Sequence, residues 1–93
     1  MNSSGRAPVD SYAGQNVVID VESMYVFLGK LTEVSEKTLT LKNADVHDLR
    51  DSTTTREAYV REARLHGIQP NRDRVLLQRQ QVVSISLLAD VIP

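Results

Sequence analysis

The chain of 93 residues contains no cysteine and no tryptophan. Disulfide frameworks and thiolate metal sites are thereby excluded. Aromatic residues are scarce, amounting to Tyr12, Tyr25, Phe27 and Tyr59, so aliphatic side chains must supply the core. No apolar run is long enough for a helix to span a bilayer, and the opening MNSSGRAPVDS has no hydrophobic stretch of the kind a secretory signal needs. A cytoplasmic location without membrane attachment is the expectation. There is also no Gly-rich phosphate loop, no serine with an evident base partner and no carboxylate pair in an apolar setting. An enzyme is therefore not expected, and no cofactor or metal ion is implied.

What is present is an ordinary balance for one small domain, 41% hydrophobic and 25% charged residues. The net charge of −1 hides an asymmetry. Through Thr55 there are five basic and eight acidic residues, whereas Arg56 to Arg79 holds six arginines against Glu57, Glu62 and Asp73. Global charge makes no case for nucleic acid, but a local basic surface of Arg56, Arg61, Arg64, Arg72 and Arg74 is conceivable on composition. Glu57 and Glu62 interleave with the helical arginines, so mutual neutralisation is the simpler expectation.

Residues 1–14 are small, polar and broken by Gly and Pro, and they read as a flexible arm. The remainder, 15–93, reads as a single domain. Val17, Ile19 and Val21 alternate with Asp20 and Glu22, the pattern of a half-buried strand. The next run, Met24 to Val34, is apolar on both faces around Gly29. A glycine there suits a bulge or sharp bend, and the face bearing Val26 and Leu28 needs a cover from a helix or a neighbouring subunit. After the turn SEK, Leu39 and Leu41 should face inward while Thr38, Thr40 and Lys42 face out. HDLRDSTT then reads as polar turn. His47 among Asp45, Asp48 and Asp51 is better explained as a polar loop than as a metal site.

A helix is expected over about 54–66. Thr54 and Glu57 have capping-box spacing, Glu57 and Arg61 form an i,i+4 pair, and Gly67, Ile68 and Pro70 supply the stop. Its apolar stripe of Tyr59, Ala63 and His66 with Val60 alongside is narrow, so the helix should lie against something else as an insertion spanning about 46–73. Two strands close the chain, Val75–Leu77 and then Val83, Ile85 and Leu87 alternating with serines.

Five short strands with a bent second strand outline a small, mainly β, SH3-like barrel. The stretch from Val17 to Ala44 resembles the first signature of the Sm-like (LSm, Hfq-type) proteins. Gly29-Lys30-Leu31 matches its Gly-x-Leu. Ser35 stands at its Asp, and Thr38-Leu39-Thr40-Leu41 at its Asn-Leu-x-Leu, with a turn one residue shorter. Leu77 to Ile85 keeps the spacing of the second signature, with Gln78 in place of Arg and Arg79 in place of Gly. Together the stretches cover about half of the chain. The resemblance implies a five-stranded barrel that closes a ring of identical subunits through its edge strands. It also implies RNA as ligand, held at pore loops by Ser35, Lys37, Thr38, Gln78 and Arg79. The alternatives are a ring-forming structural or protein-binding module without RNA, and an unrelated SH3-like or Tudor-like barrel acting as a monomer.

Overall fold

A computed structural model describes residues 8–51 and 53–93. Its five strands are β1 (Asn16–Val21), β2 (Tyr25–Val34), β3 (Thr38–Asp48), β4 (Arg72–Gln78) and β5 (Val82–Leu87), and one helix, α1 (Arg56–His66), lies between β3 and β4. The strands form one antiparallel sheet in the order β4-β3-β2-β1-β5. The mainly β architecture anticipated from the pattern, five strands with one helix between the third and fourth, is the one observed. Because β4 and β5 end the order, each has one edge without a partner strand among the described residues. Each edge strand also exposes a large aliphatic side chain, Leu76 on β4 and Val83 on β5.

Period-two alternation divides the apolar residues into two layers. Val17, Ile19, Leu31, Leu39, Leu41, Ala44 and Leu77 form one layer, the inner one, with Tyr12 and Phe27 packed against them. Val18, Val26 and Leu28 face the other way and are covered by Val60 and Ala63 of α1 and by Leu88. The cover required by Val26 and Leu28 is thus the chain's own helix.

The bend at Gly29 is a bulge. Leu28 pairs with Asp45 and Lys30 with Lys42, so Asn43 and Ala44 both stand opposite Gly29. Asn43 takes φ 49, in the left-handed region that asparagine tolerates better than most residues. The strands approach so closely that a Cβ on Gly29 would lie 3.1 Å from Ala44 Cα and from the Lys42 carbonyl oxygen. The extra residue reverses the phase of β3: Ala44 joins the inner layer, while Asp45 and His47 turn toward α1. A second irregularity leaves Thr32 unpaired between Leu31 and Glu33, and its hydroxyl donates to the Thr40 carbonyl at 3.3 Å.

Several local expectations differ from the structure. Thr40 faces away from Leu39 and Leu41 as expected but is buried, with Glu33 and Leu76 flanking it across the ladder. His47 and Asp48 belong to β3, paired with Val26 and Tyr25, so the connecting segment runs from 49 to 71 rather than 46 to 73. The helix is capped by Thr55, whose hydroxyl accepts from Ala58 N at 3.1 Å, one residue beyond the Thr54 of the expected capping box. Gly67 does end it, at φ 93, with its N–H on the Ala63 carbonyl at 2.8 Å, and Ile68 packs on the outer layer. Of the segment 1–14, residues 1–7 lie outside the described residues. Pro8–Tyr12 wind into a 3-10 helix, which the Gly/Pro-rich composition did not suggest.

Candidate nucleic-acid interface

Two turns meet at one end of the sheet. The β2–β3 turn is closed by its own side chains: Thr38 N donates to Ser35 Oγ at 3.0 Å, the two hydroxyls are hydrogen-bonded at 2.7 Å, and Ser35 N donates to the Thr38 carbonyl at 2.9 Å. The β4–β5 turn, Arg79–Gln81, is brought alongside because Thr38 pairs with Gln78 in the ladder. Arg79 then fastens the two together. Its N–H donates to the Lys37 carbonyl at 2.9 Å and its Nη1 to the Ser35 carbonyl at 2.6 Å.

All five residues singled out from the signatures, Ser35, Lys37, Thr38, Gln78 and Arg79, therefore meet at this junction. They do not play equal parts. An open cleft of about 390 Å³ is lined by Glu36, Lys37, Gln78, Arg79 and Gln80. Ser35 and Thr38 are not among its lining residues, and their hydroxyls are hydrogen-bonded to each other. Glu36 and Gln80 escaped the motif-based reading because the signatures fix no identity at their positions. Their adjacency to Lys37 and Arg79 in tight turns was the available signal.

Within the arginine-rich segment, Arg56 is committed to an ion-pair network. Arg56 forks onto Asp20 through Nε and Nη2, both at 2.5 Å, and also pairs with Glu57, while Ser84 Oγ adds a 2.9 Å bond to the same carboxylate. The Asp20 hydrogen bond, and less so its charge, holds the Arg56 guanidinium more firmly protonated than usual. This network ties α1 to β1 and β5. Arg61 and Arg64 are exposed on α1, and Arg72 and Arg74 are exposed on the β4 edge, opposite Ala44 and Lys42.

The acidic run around His47 also diverges. Asp45 is buried and accepts from the phenol of Tyr59 and, at 3.4 Å, from Asn71 Nδ2. Asp48 is gripped by Arg50 at 2.8 Å, which lowers its carboxyl to about 2. His47 stacks on Tyr59. Asp45 and His47 thus share Tyr59 as a partner, while Asp48 is held separately by Arg50. Among the described residues, no helix is long and apolar enough to cross a membrane.

Comparison with known proteins gives a result in structure only. No family model and no curated protein matches the chain in sequence. Among solved structures, an Sm protein of Pyrococcus abyssii in complex with a uridine heptamer superposes with a TM-score of 0.59 at 14% identity, covering 88% of this chain and 99% of that one. An Sm-like protein of Archaeoglobus fulgidus gives 0.59 at 18% identity, covering 91% and 99%. The chain has the Sm-like fold. A chain of the NatC complex bound to CoA is similar as well, with a TM-score of 0.58 at 12% identity, covering 94% of this chain and 88% of that one. At these identities the likeness concerns the Sm-like fold, and the chemistry of the site rests on the residues described above.

Proposed function

We propose that this protein assembles as a ring of identical subunits and binds single-stranded RNA at the joined turns, as a binding module rather than an enzyme, in the cytoplasm. The observation that carries this reading is the Arg79 clamp. It hydrogen-bonds the two turns together while leaving Lys37, Gln78 and Gln80 around an open cleft. Lys37 supplies charge for phosphate, and the two amides offer both donors and acceptors to a base edge.

Ring assembly is supported by the two unpaired edges. Each presents N–H and C=O groups to water beside an exposed aliphatic side chain. Pairing β4 of one copy with β5 of the next is a head-to-tail contact, and a closed ring satisfies every edge. The resemblance to an Sm protein in complex with a uridine heptamer supports RNA as the ligand class.

A second reading, a ring or complex component without RNA, draws on two observations. The Ser35 and Thr38 hydroxyls are already spent on each other, and a chain of the NatC complex is similar in fold. Light scattering on the full chain, followed by titration with short labelled RNAs at two salt concentrations, separates the readings. A ring with salt-dependent affinity is the expected result. A monomer overturns the ring, and a ring indifferent to RNA leaves the assembly module. Arg79→Ala should weaken binding by unfastening the turns, and unchanged affinity removes Arg79 from the site.

A further inference from the structure

We propose that the cleft selects bases carrying an exocyclic amino group over uracil, and that Glu36 makes the selection. This rests on the RNA-binding reading above and adds to it the identity of the base.

The polar groups at the junction divide into those already committed and those still available. The Ser35 and Thr38 hydroxyls are hydrogen-bonded to each other, and Arg79 donates through its main chain and Nη1 to the neighbouring turn. Glu36, Lys37, Gln78 and Gln80 are exposed around the cleft. Lys37 is a point charge suited to phosphate and reads no base edge. The glutamine amides carry both a donor and an acceptor and therefore accommodate any base.

Glu36 is different in kind. An ionised carboxylate only accepts, and it is the one acid among the residues lining this cleft. Cytosine, adenine and guanine each present an amino group to it. Uracil presents two carbonyl oxygens flanking a single N–H, so a carboxylate brought to its edge meets at least one oxygen lone pair without a proton between. The discrimination is thus built from repulsion of uracil as much as from attraction of the amino bases. It is independent of the phosphate contacts.

The test compares 5′-labelled heptamers of cytidine and of uridine by fluorescence anisotropy on the full chain, at two salt concentrations. These bases have the same ring size, so stacking is nearly matched. Cytidine heptamer is expected to bind about tenfold more tightly, with the same salt slope as uridine heptamer. Glu36→Gln keeps the shape of the side chain, but its amide can donate to a uracil oxygen. The gap should close in this variant chiefly because uridine binding improves, with oligomeric state unchanged. Equal or tighter binding of uridine by the unmodified chain overturns the selectivity, as does a preference that survives Glu36→Gln. If neither heptamer binds in a salt-dependent way, the RNA-binding reading itself falls. If both bind alike and with a salt dependence, the selectivity falls and the RNA-binding reading stands.

Discussion

The ring of Tyr59 lies parallel to that of His47, with centroids 3.7 Å apart and an interplanar angle of 8°. The same phenol donates its hydroxyl proton to the buried carboxylate of Asp45. One helical side chain therefore engages two residues on the outer face of β3. Tyr59→Phe keeps the stack and removes the donor, leaving a buried acceptor short of a partner. The expected loss is about 1–3 kcal/mol, measured as a shift in the urea midpoint. Burial first, and Asp45 second, push this phenol well above its ordinary value of 10.0. A group raised in the folded state contributes stability below its unfolded value and loses that contribution as pH rises. The alkaline unfolding curve should carry a component above pH 10.0 that Tyr59→Phe abolishes.

Asp48 sets the opposite limb. Hydrogen bonds from the Arg50 side chain and main chain lower its carboxyl from 3.8 to about 2. A carboxyl lowered in the folded state contributes above its unfolded value, so this contribution is complete above pH 3.8 and is lost as pH falls toward 2. Asp48→Asn should narrow the difference in stability between neutral pH and pH 2. Parallel acid titrations of the two proteins by circular dichroism check this, and identical curves would refute it.

Gly29 is needed for proximity rather than for its dihedral angles. A methyl group there would press on the backbone of β3 at Ala44 and Lys42, both at 3.1 Å. Gly29→Ala should cost about 1–3 kcal/mol as the strands part, and Gly29→Val more. Chemical denaturation of both variants supplies the measurement.

Leu76 and Val83 lie on the two unpaired edges and are 63% and 66% exposed. Placing a charge there, as in Leu76→Lys or Val83→Lys, should leave the folded subunit within about 0.5 kcal/mol of its original stability. The same changes should dissolve the proposed ring, because strand pairing between copies would bring the ammonium against the neighbouring copy's apolar side chain and strip it of water. Light scattering reads the second effect, and thermal melting below the assembly concentration reads the first.

The apolar spacing around Gly29, Leu31, Leu39 and Leu41 made the barrel legible, because burial of alternate residues constrains a strand whatever the polar identities. Ser35, Lys37, Thr38, Gln78 and Arg79 were picked out by the resemblance to the two signatures, and the ladder that aligns Leu39 with Leu77 also aligns Thr38 with Gln78. The phase change at Asn43 was not legible. Strict alternation from Leu39 and Leu41 would have sent Asp45 and His47 inward. A one-residue bulge leaves no mark on a hydrophobicity pattern except the glycine opposite. The cap moved from Thr54 to Thr55 because adjacent threonines are equivalent as acceptors until the path of the chain is fixed. Nor does sequence reveal that Arg56 is spent on Asp20, 36 residues away, since ion pairing across a fold depends on which faces meet.

The position of α1 bears on how the assembly would come apart. Since Val18, Val26 and Leu28 are roofed by the chain's own Val60, Ala63 and Leu88, a separated subunit exposes strand edges but keeps both apolar layers shielded. Association need not be coupled to folding. Dilution of the proposed assembly should therefore release native protomers that reassemble on concentration, with circular dichroism unchanged while light scattering falls.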